Sequence, residues 1–299
     1  LSNIMGFVLS AVYLEATFQN LTKNRSRFKI SWSSVVWLIN RKENKILFIS
    51  GIFILLGNIL FSLYFDLGRW ITKIYFSNEG FANYSLGVSL IGFVLIFINT
   101  INKTFYPYLY HNYSEIIVSK YKNILYVLGS FSLLGFFFLK EVVIRFLPKY
   151  IDSLPVTAIL ITSIPGMLIV KSIYVNGYKI LKLEKLFMLD ALKYLAVSIV
   201  IFFVCFHYYK NLNSIALASV ISIYVWTLIP LNNKHFKLKI MIKEIFYISL
   251  ILSSFYHVIK CNFNLFFSFV YFLCFLIGVN LFFYRQIINE IILSKKIKL

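Results

Sequence analysis

Eight long apolar stretches, none containing a charged residue, occupy most of the chain between residues 46 and 284. A helix of about 20 apolar residues spans the hydrocarbon core of a bilayer, and only helices or closed barrels satisfy their backbone there. These stretches are too long and too continuously apolar for barrel strands. The sequence therefore predicts an all-α, polytopic membrane protein with spans in the runs 46–65, 81–102, 123–139, 153–170, 194–209, 211–233, 245–259 and 261–284.

The basic residues sort into alternate gaps between these runs. One set of gaps holds 23 of the 30 Lys and Arg residues, and the opposite set holds the other 7. Loops rich in Lys and Arg stay on the cytoplasmic side of a membrane, so we assign the first set to the cytoplasm. An added or missing span would destroy the alternation, which supports the count of eight. The C-terminus follows the last run on the basic side and is predicted to be cytoplasmic.

The composition excludes several classes of function. Only 14% of the residues are charged, whereas a soluble domain has about 25%. The net charge of +19 is spread over separate cytoplasmic segments, which predicts contact with anionic membrane lipids and no nucleic-acid partner. The 3 cysteines and 4 histidines are scattered without metal-ligand spacing. We therefore expect neither a metal nor a cofactor.

The first residues of the sequence are predicted to be the end of a membrane span that begins before residue 1. Residues 1–20 resemble the end of a span, and no charged segment or cleavage site marks a signal peptide. We expect the chain to be the C-terminal part of a larger protein. Residues 21–45 are predicted as a basic cytoplasmic loop, in which residues 30–40 form an interfacial helix with two tryptophans at head-group level.

Very little of the chain is predicted outside the membrane. The longest exterior gaps are residues 66–80 and 140–152, and the 11 acidic residues are dispersed. Neither a nucleophile elbow nor a phosphate-binding glycine loop is present in the sequence. This pattern favours a transporter and argues against an enzyme.

Several residues at or near the ends of the predicted spans resemble those of a known family. The stretch DLGRWITKIYFSNEGFANYSLGVSLIGFVLIFINTINKTFYPYLY has an acidic residue, Asp66, at the end of one span, Tyr84-Ser85 opening the next, and Tyr106-Pro107 near its cytoplasmic end. LPKYIDSLPVTAIL, NGYKILKLEKL and NLNSIALASVISIYVW continue the pattern. In these features the chain resembles the polysaccharide flippases of the multidrug/oligosaccharidyl-lipid/polysaccharide exporter superfamily.

The resemblance implies a transporter of about fourteen spans in two bundles that open alternately to either side. Residues 46–232 would be the six-span second bundle, 233–285 two additional C-terminal spans and 286–299 a cytoplasmic tail. In the numbering of such a transporter, the run 46–65 is the seventh span, 81–102 the eighth and 153–170 the start of the tenth. The first bundle would belong to N-terminal spans that precede this chain. The implied substrate is an undecaprenyl-pyrophosphate-linked oligosaccharide, carried across the bacterial inner membrane. A coupling ion, either a proton or sodium, is implied as well.

Two lysines are the leading candidates for binding the pyrophosphate. Lys171 interrupts the otherwise apolar tenth span, and an ionised group within a span usually faces the bundle interior. Lys103 lies near the cytoplasmic end of the eighth span. The alternative for each is that its amine reaches the lipid head groups. Pro165, inside the span of Lys171, permits a kink, and Pro107 is expected to end the eighth span.

Three more residues complete the predicted site. Asp66 and Arg69 are three residues apart at the exterior end of the seventh span and can form an ion pair there. The functional alternative makes Asp66 the ion-coupling site and Arg69 a substrate contact at the exterior mouth. Tyr106 belongs to a tyrosine cluster where the eighth span meets the cytoplasm, a pattern that fits either sugar stacking or an aromatic belt.

Two other functions remain open. A membrane-embedded polymerase or ligase of lipid-linked sugars usually needs a large exterior loop with arginines and histidine, whereas the exterior gaps here offer only Arg69 and Arg145. An ion-coupled exporter of small molecules would need more acidic residues within the spans than Glu15 and Asp66. The Phe-rich last run is expected to lie at the lipid-facing periphery.

Overall fold

A computed structural model describes residues 42–228, 242–261 and 264–296, which form helices and no strand. The chain divides into two compact units, Leu1–Ile49 and Ser50–Leu299. The described part of the first unit is the beginning of one long helix, residues 42–49, and the features discussed below belong to the second unit. The predicted span at 1–20 and the interfacial helix at 30–40 lie outside the described residues.

The described ranges contain eleven α-helices and two short segments of other helical type. A 3₁₀ segment (Pro148–Ser153) precedes the helix that begins at Leu154, and a π-helical segment (Val170–Tyr174) follows the helix that ends at Ile169. The α-helices are α1 (Lys42–Tyr75), α2 (Asn78–His111), α3 (Glu115–Ser132), α4 (Gly135–Phe146), α5 (Leu154–Ile161), α6 (Ile164–Ile169), α7 (Val175–Ile180), α8 (Glu184–Tyr208), α9 (Leu212–Leu228), α10 (Ile242–Lys260) and α11 (Leu265–Lys296).

The helices confirm a multi-pass membrane protein. Within the described ranges, six helical segments are long and apolar enough to cross a bilayer, and a bent pair gives a seventh if it counts as one span. A shorter apolar helix, Leu212–Thr227, corresponds to the sixth predicted run. The six segments are Phe48–Tyr75, Asn78–His111, Glu115–Phe146, Glu184–Tyr208, Ile242–Lys260 and Leu265–Arg285.

The bent pair is the predicted tenth span. Pro148–Ile161 and Ile164–Ile180 meet at an angle of 46°. At the break, the amides of Thr162 and Ser163 bond to carbonyls three residues back, at 3.1 and 3.0 Å, instead of four. Pro165 lies two residues after Ser163. A proline has no N–H to donate to the preceding turn, and its ring crowds the carbonyl group four residues before it. The bend therefore lies where Pro165 was expected to permit a kink.

Two helix ends differ from the predictions. Pro107 was expected to end its span, but α2 continues through it to His111, where the Asn112 amide donates to the Tyr108 carbonyl at 3.1 Å. The prediction was wrong because the missing N–H of Pro107 and the crowding of the preceding carbonyl affect a single turn, and the helix continues past them for one more turn. The basic loop was predicted to extend to residue 45, yet α1 begins at Lys42.

The last two helices pack onto the body of the protein through polar contacts. The Tyr247 hydroxyl on α10 donates to Asn280 Oδ1 on α11 at 2.7 Å, and Asn280 Nδ2 donates to Ser130 Oγ on α3 at 3.2 Å. All three side chains are buried. The expectation that the last run is peripheral holds for one face only, where Phe266 and Phe282 are exposed. The residues predicted as a tail continue α11 as helix to Lys296, with a non-helical backbone at Tyr284.

Candidate functional site

An open cavity of about 730 Å³ lies between α1, α2, the π segment, α7 and the start of α8. Pockets that bury small organic ligands commonly have volumes of about 300–1,000 Å³, so its size is that of a ligand site. Its wall depends on close packing of α1 against α8. A Cβ at Gly57 would lie 2.3 Å from Phe187 Cε1, so only glycine leaves room for this ring beside α1.

Three lysines line the cavity: Lys103 from α2, Lys171 from the π segment and Lys179 from α7. Along the part of the chain that the structure describes, no carboxylate lines it. The cavity is therefore a region of concentrated positive charge without an internal counter-charge. Such a region attracts anions, and walls of low polarity strengthen the attraction.

Lys171 is held by weak partners. Its Nζ lies 4.8 Å from the centre of the Phe61 ring and donates a long hydrogen bond of 3.5 Å to Asn99 Oδ1. The π segment widens the helix by one residue per turn at this position, and such bulges occur frequently at functional sites. The Lys171 side chain lies on the cavity wall.

Four asparagines supply most of the neutral polar groups of the cavity. Asn102 Oδ1 accepts a hydrogen bond from Ser172 Oγ, and Asn176 Nδ2 donates to the Ser172 carbonyl at 3.0 Å. Asn58 and Asn99 are exposed on the same wall. Carboxamides both donate and accept hydrogen bonds, which suits hydroxyl-rich ligands.

The sequence analysis missed these asparagines and Lys179. Their signal was present, because Asn58 and Asn99 interrupt apolar runs, where a polar side chain is costly unless it faces the bundle interior or water. In the sequence Lys179 is only one of the 23 basic residues in the gaps assigned to the cytoplasm. Its place on the cavity wall depends on the length of α7 and on the π segment before it, which hydropathy does not reveal.

Tyr106 lies on the cavity wall, so three of the five predicted site residues come together there. The neighbouring tyrosines of the cluster do not line the cavity. Tyr108 and Tyr110 are both more than half exposed. Phe61 and Phe187 add aromatic surface to the same wall. Flat aromatic faces combined with polar groups form the usual lining of small-molecule sites.

Asp66 and Arg69 are not part of the cavity. They form the predicted ion pair at 3.1 Å on α1, and Arg69 Nη2 also donates to Ser89 Oγ on α2 at 3.0 Å. Their side chains are 42% and 31% exposed, respectively. The structure thus separates the five predicted residues into the cavity group and this pair.

Chemically, the cavity can bind an anion at its lysines and polar or aromatic groups beside them. Among the described residues, no group of three His, Cys, Asp or Glu side chains could hold a metal ion. The cysteines Cys205, Cys261 and Cys274 are free. Comparisons of this chain with protein-family models, with curated proteins and with solved structures found no match.

Proposed function

We propose that this chain is part of a flippase that moves undecaprenyl-pyrophosphate-linked oligosaccharides across the bacterial inner membrane by alternating access. The observation that carries the proposal is the cavity, in which three lysines without a carboxylate lie beside carboxamides and aromatic rings. Lysine binds phosphate as a compact point charge. The carboxamides and the ring of Tyr106 suit the sugars, and the substrate undergoes no chemical change.

The exposed polar wall of the cavity supports the presence of another bundle of spans beside this one. Asn58, Asn99 and Lys103 are exposed on helices that span the membrane. Lipid tails cannot satisfy such groups, so they face water or other protein. We propose that this wall faces a first bundle of spans, in a transporter of about fourteen spans built from two such halves.

The charge distribution supports the orientation. Lys103, Lys171 and Lys179 belong to the gaps assigned to the cytoplasm. The Asp66–Arg69 pair lies towards the end of α1 that is assigned to the exterior. The proposed cavity therefore opens to the cytoplasm, where the lipid-linked substrate is made, and the C-terminus is on the same side.

The test uses a strain that lacks the full-length gene, with the lipid-linked oligosaccharide assayed separately on each face of the inner membrane. We expect complete repeat units to accumulate on the cytoplasmic face and to reach the outer face on rescue with the wild-type gene. Rescue with Lys171→Gln should fail, whereas Lys210→Gln, which changes an exposed lysine between α8 and α9, should succeed.

Two outcomes would overturn the proposal. Repeat units that reach the outer face of the deletion strain but remain unpolymerised would indicate a polymerase or ligase. Normal distribution of repeat units on both faces, together with accumulation of a small molecule inside the cells, would indicate an exporter.

A further inference from the structure

A second and much smaller cavity, of about 20 Å³, lies beside the bend of the bent pair and is bordered by α1, α2 and α9. It is separate from the large cavity, because no described residue lines both. A cavity needs about 10–15 Å³ to hold one water molecule, so this one has room for a single water and for nothing larger. Its lining includes four hydroxyl side chains, Tyr64 from α1, Tyr84 from α2, Ser163 from the bend and Ser219 from α9.

The protons of these hydroxyl groups are committed to other acceptors. The Tyr64 hydroxyl donates to the Ser219 carbonyl, and Ser163 Oγ donates to the Leu160 carbonyl at 2.6 Å. A hydroxyl group has one proton and two acceptor lone pairs. The oxygens of Tyr64 and Ser163 can therefore accept a further hydrogen bond but have no proton left to donate.

The same holds for Tyr84 and Ser219. Their hydroxyl oxygens lie 3.0 Å apart, and the distance alone does not say which is the donor. Ser219 Oγ donates its proton to the Ile215 carbonyl at 3.1 Å, so the Tyr84 hydroxyl must donate the bond that the two share. All four hydroxyl groups of the lining thus offer acceptor lone pairs and no free proton.

The chemistry of this lining matches a water molecule. Tyr64, Tyr84 and Ser163 are buried, and a buried polar group that forms too few hydrogen bonds costs free energy. A water molecule donates two protons, which is what a lining of acceptors requires, and buried waters typically form about three hydrogen bonds. A cation would be buried there without a counter-charge, since no carboxylate belongs to the described lining.

The position of the cavity links it to the bend. Among its lining residues, Leu160 precedes the 46° bend, Ser163 lies in it and Met167 follows it. Sharp bends in helices occur at prolines and where a water molecule inserts beside the ladder of backbone hydrogen bonds. Pro165 lies between Ser163 and Met167, so both causes of bending meet at this place.

From this geometry we propose that the small cavity is the binding site of one buried water molecule, which connects the bend to the neighbouring helices. The water donates one proton to Ser163 Oγ and the other to a tyrosine oxygen on the opposite wall, that of Tyr64 or Tyr84. Among the described residues, Ser163 forms no direct hydrogen bond with α1 or α2, so the water supplies this connection. The site belongs to the framework of the bundle and does not depend on what the large cavity binds.

The first measurement is hydroxyl-radical footprinting of the full-length protein in lipid vesicles, in water enriched in oxygen-18. A short X-ray pulse converts water into radicals that oxidise the side chains touching it. Met167 is only 3% exposed, and we expect it to be oxidised and to carry oxygen-18 because it lines the cavity. Trp226 is the control, since this oxidisable side chain is buried and lines neither cavity. Oxidation of Met167 no faster than that of Trp226 would overturn the proposal.

The second measurement repeats the footprint on Val88→Ile, which adds a methylene group to the cavity wall and displaces the water. The oxidation of Met167 should be lost, while that of the exposed Tyr110 should keep its wild-type rate. Val88→Ala enlarges the cavity and is the matched variant that should keep the oxidation of Met167. Oxidation of Met167 that persists in Val88→Ile would show that radicals reach it from elsewhere and would contradict the site.

Electron cryomicroscopy of the wild-type protein decides the question if Val88→Ile does not fold. In a map that shows ordered waters elsewhere in the protein, we expect density for one water within hydrogen-bond distance of Ser163 Oγ. The same density should lie within hydrogen-bond distance of the Tyr64 or the Tyr84 oxygen. A small cavity without density in such a map would rule the water site out.

Discussion

The ammonium group of Lys171 lies 4.8 Å from the centre of the Phe61 ring, with Asn99 Oδ1 at 3.5 Å as its hydrogen-bond acceptor. No carboxylate among the described residues forms an ion pair with it. A cation over an aromatic ring gains about 0.5–2 kcal/mol, whereas a hydrogen bond to a charged group contributes about 1.5–3 kcal/mol. An anionic ligand can therefore displace the ring as the partner of Lys171.

Lys171→Gln should weaken pyrophosphate binding by about 10- to 100-fold, the equivalent of one charged hydrogen bond. Isothermal titration of the full-length protein with inorganic pyrophosphate measures this directly. Lys210→Gln is the matched control, since its lysine is exposed outside the cavity. Equal affinity of the wild type and Lys171→Gln would show that Lys171 does not bind the phosphates.

Gly129→Ala should destabilise the protein by about 1–3 kcal/mol, because the new methyl group would lie 2.8 Å from the backbone of Pro165. The measurement is thermal unfolding in detergent, followed by tryptophan fluorescence. Gly92→Ala is the control, since a Cβ there would meet nothing within 4 Å beyond its own stretch of helix, and it should be neutral or slightly stabilising. A Gly129→Ala protein as stable as Gly92→Ala would contradict the close packing of α3 on the bend.

Asn280→Leu should destabilise the contact of α11 with α3 and α10. The substitution removes the 2.7 Å bond from the Tyr247 hydroxyl and the bond that Asn280 donates to Ser130 Oγ. Tyr247 then keeps only a long 3.4 Å contact with the Tyr126 carbonyl, whereas Ser130 Oγ keeps its bond to the Val127 carbonyl. Each lost hydrogen bond costs about 0.5–1.5 kcal/mol. The midpoint of thermal unfolding should fall clearly. Tyr271→Phe changes an exposed residue of the same helix and should leave it unchanged. Similar midpoints for the two variants would indicate that this network contributes little.

Asp66→Asn should change stability by less than about 1 kcal/mol, because partly exposed ion pairs contribute little. The experiment compares unfolding and translocation in the same preparation. If the Asp66–Arg69 pair is only a structural ion pair, Asp66→Asn keeps both. Loss of gradient-driven translocation at unchanged stability would instead assign the coupling role to Asp66.

Cys261 should react with a membrane-impermeant maleimide added to intact spheroplasts. It is exposed and follows Lys260 in a gap assigned to the exterior. The assay uses the variant Cys205→Ser/Cys274→Ser, so that labelling reports this one position. Labelling that requires access from the cytoplasmic side would reverse the proposed orientation.

Hydropathy alone placed the spans well, because burial in lipid imposes the same requirement on every residue of a span. Within the described residues each of the eight predicted runs overlaps a helix. Six of these helical segments are long and apolar enough to span a bilayer, the bent pair would be a seventh, and the run 211–233 falls on a shorter apolar helix. The helix boundaries were less accurate, as at Pro107 and Lys42, since a helix can continue past the end of its apolar run. Lys103, Lys171 and Tyr106 were identified because polar groups in or near a span stand out against their neighbours.

The sequence by itself determined that this chain is a helical membrane protein, and its alternating charges predict which loops face the cytoplasm. Only the tertiary structure decided which polar residues meet. It brought Lys179 and four asparagines to the cavity, separated Asp66 and Arg69 from it, and buried Lys122 against Glu244. The physical reason is that hydropathy depends on each residue's transfer to lipid, whereas these contacts depend on helix rotation, the bend beside Pro165 and the packing permitted by glycines.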